Sequence, residues 1–186
     1  MATPTILAAD AQIALVTPSA ALGPAFVDVN RASVELHHPW VAPPTTDEAY
    51  AAYLDRCARA DTVGMVIVRR SDDAVMGAIN LSQVFLGPFQ SAYAGYYIGA
   101  AYAGCGHMRA ALGLALDHAF GPVGLHRVEA NIQPENHASI ALVRRLGFTR
   151  EGYSRRYLFV DGAWRDHERF AMLAEDWAAR RRGPST

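Results

Sequence analysis

The chain has 186 residues, of which 51% are hydrophobic and 19% charged, and its formal net charge is −1. This length and composition predict a single globular domain over residues 1–186 with a sizeable core, and they exclude fibrous and disordered classes. The near-neutral charge gives no electrostatic basis for direct nucleic-acid binding.

The N-terminal segment and the two cysteines exclude further classes. No Lys or Arg precedes Arg31, and Asp10 and Pro18 interrupt the early apolar residues, so neither a signal peptide nor a membrane span is expected. Cys57 and Cys105 are too few for a disulfide framework and lack the spacing of metal ligands. We therefore expect a cytoplasmic protein with reduced thiols, no metal site and no membrane partner.

The first third of the chain predicts one strand and two helices. A short apolar run at residues 12–16 is typical of a strand, and the Thr-Pro pair that follows it predicts a helix over residues 17–36. Residues 37–44 contain three prolines and cannot form a regular helix. A capping-box spacing of Thr and Glu then predicts a second helix over residues 45–60.

A β-hairpin is predicted next. Two short runs rich in β-branched residues, at 65–70 and 74–82, flank a Ser-Asp-Asp turn, which is the pattern of two antiparallel strands. An aromatic-rich link over residues 85–93 leads from this hairpin to the next apolar segment.

The central stretch reads as a strand, a glycine turn and a helix. Its strand covers residues 96–98, its turn contains Gly104 and Gly106, and its Ala/Leu-rich helix extends to Phe120. Glycines let the backbone approach a ligand, and the first N–H groups of a helix have no internal partner, so this stretch could bind a phosphate. A plain connection between a strand and a helix has the same pattern, and the motif alone leaves both interpretations open.

The last third predicts a strand at residues 126–132, a helix at 134–147 that ends in glycine, and strands at 157–160 and 164–173 joined by an Asp-Gly turn. The resulting order, β α α β β β α β α β β, predicts an α+β fold with one central, mostly antiparallel sheet. Its only parallel crossover is the strand–helix–strand unit that contains the glycine turn.

Several blocks of sequence in a fixed order resemble a known family. They are YYIG before the glycine turn, AGCG within it, LHRVEANIQPENHASIALVRRLGF after it, and REGYSRRYLFVDGAWRDHERF near the end. The chain resembles the GNAT (GCN5-related N-acetyltransferase) family, and within it the ribosomal-protein-alanine N-acetyltransferases of the RimJ and RimL type. The resemblance implies an α/β three-layer arrangement with helices on both faces of a sheet that is splayed between its fourth and fifth strands.

The resemblance also implies acetyl-CoA as co-substrate. The family loop, Arg/Gln-x-x-Gly-x-Gly/Ala, falls on Ala101, Gly104 and Gly106, and Ala101 departs from it; Ala110 departs where relatives often have an acidic residue. We therefore expect backbone N–H groups to hold the pyrophosphate, while groups near Ile98 bind the pantetheine arm and stabilise the oxyanion. The implied contact residues are Ile98, Gly99, Gly104, Cys105, Gly106, His107, Met108, Arg109 and Asn136.

Two catalytic residues are implied. Many family members carry a tyrosine where this chain has Val143, so the proton donor to the thiolate is expected to be Ser139, as in the RimL-like pattern. Glu129 is the candidate base. Both have alternatives: Ser139 could simply be a first-turn residue behind the N-cap Asn136, and Glu129 could be the ion-pair partner of Arg127.

The resemblance implies that the acceptor is a primary amine, which attacks the acetyl carbonyl carbon of acetyl-CoA directly, without an acyl-enzyme. An N-terminal α-amine, with a reference pKa near 8, deprotonates more easily than a lysine near 10.4, which favours a protein N-terminus. A small-molecule amine remains an alternative, as does a CoA-binding or ribosome-associated module with little catalysis. We expect a monomer or homodimer whose acceptor pocket includes His38, Trp40, Phe89, Tyr93 and Tyr157.

Overall fold

The structure, a computed structural model, describes residues 3–182, so the extreme ends of the expected domain lie outside the described residues. Within this range eight strands form one sheet: β1 (Ile6–Ala9), β2 (Ile13–Val16), β3 (Thr62–Arg69), β4 (Val75–Phe85), β5 (Ser91–Ile98), β6 (Arg127–Ile132), β7 (Thr149–Val160) and β8 (Ala163–Leu173). The α-helices of the same range are α1 (Gly23–Arg31), α2 (Val34–His37), α3 (Asp47–Cys57), α4 (His107–Phe120), α5 (His137–Leu146) and α6 (Ala174–Arg182).

The sheet is divided in the middle by a partial strand pairing. Its strand order is β1-β2-β3-β4-β5-β6-β8-β7, and every neighbouring pair is antiparallel except β5 with β6. These two strands pair only from Ser91–Arg127 to Tyr93–Glu129. Beyond that point β5 continues along β4 as far as Ile98, while β6 continues along β8 as far as Ile132. The predicted mostly antiparallel, splayed sheet is therefore confirmed, with β5 and β6 as the diverging strands.

Helices cover both faces of the sheet. On one face α4 buries Ala111, Leu112, Ala115, Leu116 and Ala119, which are spaced as one helical stripe and pack with residues of α5 and β6. On the other face Phe26 of α1 is fully buried, and its ring lies 4.8 Å from the Tyr50 ring and 5.2 Å from the Tyr53 ring of α3. The first core contains residues of strands on both sides of the β5–β6 divergence, whereas the second contains residues of β2 to β5.

The first predicted helix is wrong in its extent. The hydroxyl of Thr17 does not cap a helix but accepts a hydrogen bond from the Thr5 N–H at 2.9 Å, which attaches the chain to β1. The α-helix begins only at Gly23, with a proline in its first turn, and ends at Arg31. Ser33 follows this end, and its hydroxyl donates to the Val29 carbonyl at 2.6 Å and accepts from the Ala100 N–H at 2.9 Å. The break is thus fixed by contacts that the local pattern does not contain.

Other boundaries also differ from the prediction. Strand β1 was not predicted, since four half-exposed residues become a strand only by pairing with β2. Strand β5 begins at Ser91, within the expected link, and β7 begins at Thr149, because β8 offers a partner along its whole length. The hairpin turn at Asp161 and Gly162 is confirmed: both residues have positive φ, as a two-residue type I′ turn requires. No helix in residues 3–182 is long and apolar enough to cross a membrane.

Candidate active site

A cavity of about 600 Å³ lies between the end of β5, the start of α4 and one face of α5. The chain between α1 and α3 closes one side of it. Its walls are formed by Leu36, His37, Trp40, Val41, Tyr96, Tyr97, Ile98, Tyr102, Ala103, Gly104, Gly106, Met108, Arg109, Asn136, Ala138, Ser139, Ala141, Leu142 and Arg145. This volume lies in the range of ligand pockets of folded proteins.

The glycine turn has the geometry of an anion site. Gly104 has a φ of +75° and Gly106 a φ of +84°, which is the left-handed region that side chains rarely adopt. Gly106 is the N-cap of α4, and the first helical hydrogen bond is donated by the Ala110 N–H to the Gly106 carbonyl. The N–H groups of residues 107–109 precede that bond and have no helical acceptor, so they are available to an anion.

The charge of the wall also suits an anion. Arg109 and Arg145 bring two guanidinium groups to the cavity, and its lining, taken over residues 3–182, contains no Asp or Glu. Guanidinium groups pair with phosphate oxygens in a bidentate way, so an extended ligand that carries phosphates fits this end of the cavity. Arg145 was not predicted, because on the sequence it is one of two arginines at the end of a helix.

The predicted CoA-contact residues divide into two groups. Those that line the large cavity are Ile98, Gly104, Gly106, Met108, Arg109 and Asn136. Gly99 donates its N–H to the Met76 carbonyl at 2.7 Å and so continues the sheet, while the exposed Cys105 turns its thiol towards the Ala103 carbonyl at 3.5 Å. His107 opens α4 but is likewise absent from the described lining.

The Ile98 carbonyl is held by a buried histidine. The Gly99 N–H bonds to β4, and because backbone groups alternate along a strand, the polar groups of Ile98 point away from β4. There the Ile98 carbonyl accepts a hydrogen bond from His37 Nε2 at 2.9 Å. His37 is only 4% exposed, and this burial lowers its pKa, so the imidazole is neutral at pH 7 with its proton on Nε2. His37 therefore fixes the end of β5 without charge.

This burial predicts acid sensitivity. Burial lowers the pKa of His37, His118 and His167. Below about pH 6.5 the unfolded state therefore binds more protons than the folded state. The free energy of unfolding falls as the pH decreases through this range. Full stability is expected above pH 6.5. We expect His37→Gln, which keeps an N–H donor for Ile98, to weaken this dependence in urea unfolding at pH 7.5, 6.5 and 5.5. His137→Gln, at an exposed histidine, is the control. If the free energy of unfolding depended on pH as steeply in His37→Gln as in the wild type, the assignment of this dependence to His37 would be wrong.

Two hydroxyl groups meet at the edge of the large cavity. Asn136 caps α5 by accepting the Ser139 N–H at 3.1 Å, which fixes Ser139 in the first turn. The Ser139 Oγ then lies 2.6 Å from the Tyr96 hydroxyl oxygen, and either group can be the donor. Burial raises the pKa of Tyr96 to about 12 although the hydrogen bond from Ser139 acts in the opposite direction. Both groups are thus neutral hydroxyls at pH 7.

Sequence reasoning missed Tyr96 as a site residue, yet a signal was present. Residues 92, 94, 96 and 98 alternate along β5, and all of them pack with the core on the α4–α5 face. Tyr96 therefore points towards the helix that carries Ser139. Val143, the position where relatives often carry tyrosine, belongs to the same helix and is fully buried.

A smaller cavity of about 150 Å³ adjoins the first. It shares part of its wall with the large cavity, namely Trp40, Val41, Tyr96, Asn136 and Ser139. Its other walls come mainly from β5, β6 and β8: Ala94, Gly95, Asn131, Ile132, Gln133 and His167. No Asp or Glu is part of this lining within the described residues. The two cavities meet at the residues that they share, and these include both hydroxyl-bearing residues, Tyr96 and Ser139.

The predicted acceptor residues are only partly brought together. Trp40 lies on the wall of both cavities. Tyr157 stacks edge-on against His167 with ring centres 5.9 Å apart. The Tyr157 hydroxyl, together with the partial burial of Tyr93, raises the pKa of Tyr93 to about 12. His38 instead lies 3.1 Å from Asp161 and lines a separate cavity of about 230 Å³. Phe89 is 61% exposed and contacts Phe85 rather than either cavity.

Glu129 lies where the sheet is still closed. It pairs with Tyr93, the last residue of β5 that has a partner in β6, whereas Tyr96 lies three residues further, about 10 Å along the strand. Arg127 donates to the Glu129 carboxylate at 2.9 Å and also binds Glu151. Neither cavity is lined by Glu129. The contact therefore favours the ion-pair alternative that the sequence left open.

In residues 3–182 no cluster of three or more His, Cys, Asp or Glu could hold a metal.

Comparison with known proteins agrees with this geometry. Residues 14–149 match the family described as acetyltransferase (GNAT) domain. The ribosomal protein uS5-alanine N-acetyltransferase of Escherichia coli is 42% identical over 103 residues, which cover 55% of this chain and 53% of that enzyme. Mycobacterium smegmatis RimJ in complex with CoA-disulfide superposes with a TM-score of 0.82 and 31% identity, over 94% of this chain and 85% of that one.

A further solved structure, spermidine N-acetyltransferase from Vibrio cholerae in complex with CoA and spermine, shares the fold with a TM-score of 0.78 at 18% identity, over 91% of this chain and all of that one. The match to the family covers most of the chain, and it includes the glycine turn with Gly104 and Gly106. The chain belongs to the GNAT family and is an acetyl-CoA-dependent N-acetyltransferase.

Proposed function

We propose that the protein transfers the acetyl group of acetyl-CoA to the α-amine of a protein N-terminus, of the kind found on ribosomal proteins that begin with alanine. The observation that carries this proposal is the meeting of two cavities at Tyr96 and Ser139. The larger one has the phosphate-binding turn and enough volume for an extended co-substrate. The smaller one, whose remaining walls come mainly from β5, β6 and β8, offers the acceptor a separate approach.

The lining of the small cavity favours an N-terminus over a polyamine. Asn131 and Gln133 supply amide groups, which pair well with the backbone of a peptide. Gly95 has no side chain, and a Cβ built there would meet no atom within 4 Å, so a chain can pass over β5 at this point. A polyamine carries several positive charges, and carboxylates are the groups that pair with such charges in a cavity. This lining has no carboxylate within residues 3–182.

The chemistry follows from this arrangement. The backbone N–H groups at the start of α4, with Arg109 and Arg145, bind the phosphates, and free backbone groups of β5 bind the pantetheine arm. The neutral amine attacks the thioester carbonyl, and the carbon–sulfur bond breaks. The Ser139 hydroxyl protonates the leaving thiolate, and the extra proton of the attacking nitrogen replaces the one that Ser139 gives up. The protein mainly orients the two substrates, and a β5 N–H stabilises the oxyanion.

The proposal is tested with acetyl-CoA and a set of acceptors. The set contains peptides beginning with Ala, Ser or Met, the same peptides blocked at the N-terminus, a peptide whose only amine is a lysine side chain, and spermidine. We expect turnover only with free N-termini, and most with Ala. Turnover of spermidine without any of the peptides would replace this function by acetylation of a small amine, for which the fold shared with a spermidine acetyltransferase is the supporting observation. Tight CoA binding with no acceptor used would favour a binding module.

A direct test of Glu129 follows. Loss of a general base lowers turnover by about 10² to 10⁴-fold, whereas loss of a structural ion pair does not. Because Glu129 is bound by Arg127 and lies off both cavities, we expect Glu129→Gln to keep the kcat for the Ala peptide within about threefold of the wild type. Glu151→Gln, which removes the other carboxylate bound by Arg127, is the matched control. A drop in kcat confined to Glu129→Gln would restore Glu129 as the base.

A further inference from the structure

The reaction needs one proton removed and one supplied. A neutral amine that has attacked the thioester carries an extra proton, and the departing sulfur needs one. Among residues 3–182 no obvious base borders both cavities. Glu129 is held by Arg127 outside both of them. His37 lines only the large cavity, where its Nε2 donates to the Ile98 carbonyl and its Nδ1 is buried, and His167 lines only the small cavity. Of the residues in 3–182 that line both cavities, only Tyr96 and Ser139 carry a hydroxyl.

We propose that the Tyr96 and Ser139 hydroxyls form a proton relay that carries the excess proton of the acceptor nitrogen to the sulfur of CoA. This inference rests on the transfer reaction proposed above and adds Tyr96 to it as a second catalytic residue. It applies whether the amine belongs to a peptide or to a small molecule.

Three observations support the relay. The two oxygens are 2.6 Å apart, which is a short distance for two hydroxyls and suits direct proton transfer. Both side chains reach both cavities, so the pair joins the acceptor side to the thioester side. Their positions are fixed independently, since Asn136 holds the Ser139 turn while the pairing of β5 with β4 holds Tyr96 opposite Ile79.

The proton count closes without a charged residue. The nitrogen lone pair forms the new carbon–nitrogen bond, and the electrons of the carbon–sulfur bond leave on sulfur. The nitrogen gives a proton to the Tyr96 oxygen, Tyr96 passes its own proton to Ser139, and Ser139 passes its own to sulfur. Both hydroxyls are neutral before and after the step, and rotation of their O–H bonds restores the starting arrangement. The products are an amide and a thiol.

A relay explains why no strong base is needed. Burial keeps Tyr96 protonated at neutral pH, since its pKa is raised to about 12, so it does not act by losing its proton to water beforehand. The charged groups of Arg127, Glu129 and Glu151 pair with one another away from the hydroxyls. Above pH 6.5, where His37 and His167 are neutral because burial lowers their pKa, the pH profile of kcat/KM should therefore show only the ionisation of the acceptor amine, near pH 8 for an N-terminus.

The test compares Tyr96→Phe, Ser139→Ala and the double variant, with acetyl-CoA and the acceptor that gives the highest turnover. Because each single change interrupts the same relay, we expect each to lower kcat by about 100-fold and the double variant to be no slower than the slower single one. The Kd of acetyl-CoA should change little. In mixtures of H₂O and D₂O, the wild-type rate should fall along a curve that indicates three moving protons, and this curvature should disappear in Tyr96→Phe.

The matched control is Tyr53→Phe. Tyr53 is also a buried tyrosine whose hydroxyl donates to another side chain, Asn80 Oδ1 at 2.9 Å, but it lies on α3 away from both cavities. It should keep the wild-type kcat while losing a similar amount of thermal stability. Multiplicative losses in the double variant, or wild-type kcat in Tyr96→Phe, would overturn the relay. A wild-type protein that acetylates spermidine but no peptide overturns only the proposed acceptor, and one that acetylates no amine overturns both proposals.

Discussion

Gly104→Glu is expected to weaken acetyl-CoA binding by at least about 100-fold, which corresponds to about 2.7 kcal/mol. Gly104 is exposed in the turn before α4, and a Cβ built there meets no atom within 4 Å, so the new side chain has room to extend over the phosphate site. Its carboxylate would then occupy the place where the helix N-terminus and the guanidinium groups attract an anion. Isothermal calorimetry with CoA measures the loss.

The control for this change is Gly124→Glu. Gly124 has a φ of +76°, close to that of Gly104, and it also has open space around its built Cβ, but it lies in the loop between α4 and β6. The two variants carry the same backbone strain and the same charge. Gly104→Ala introduces the backbone strain at the site without the charge, so its CoA affinity measures the effect of the strain alone. Equal CoA affinities of Gly104→Glu and Gly124→Glu would refute the phosphate site at this turn.

Ser139→Ala is expected to lower kcat by about 100-fold while leaving the affinity for acetyl-CoA nearly unchanged. Its hydroxyl is the group that we propose to protonate the thiolate, whereas its N–H, which Asn136 caps, is kept by alanine. The helix start should therefore survive the substitution. Rapid-quench measurement of a single turnover, combined with calorimetry, separates the rate of transfer from binding.

Ser82→Ala is the matched control for the serine. Ser82 is half-buried like Ser139 and donates to the Tyr93 carbonyl at 3.5 Å, but it lines neither cavity. Its loss should affect stability slightly and kcat not at all. A wild-type kcat in Ser139→Ala would mean that water or another group protonates the sulfur.

The features that local chemistry decides were predictable from the sequence. The Asp-Gly turn at residues 161–162 and the glycines of the turn before α4 adopt positive φ because those residue types tolerate it, and their spacing relative to the strands and helices is visible in the chain. The order of blocks around them identified the family, and the comparison confirmed it. The cap at Asn136 was predicted for the same local reason.

Features that depend on distant partners were not predictable. Ser33 ends the first helical segment through a bond to Ala100, 67 residues away, and His37 meets the Ile98 carbonyl across 61 residues. Strand β1 exists only by its pairing with β2, and the Tyr96–Ser139 contact depends on how α5 lies across β5. The roles of Glu129 and Phe89 could not be judged from residue type, because their ion pair and exposure are set by the sheet.

Two side-chain hydrogen bonds join the α1–α2 region to the end of β5, and they have a consequence for how the two substrates affect each other's binding. Ser33 and His37 attach this region to Ala100 and Ile98, and the backbone N–H of Trp40 donates to the His37 carbonyl at 2.8 Å. The wall that Trp40 forms in both cavities is thus attached to the strand that we propose to bind the co-substrate. We expect each substrate to alter the affinity for the other by an equal factor, because such coupling is reciprocal.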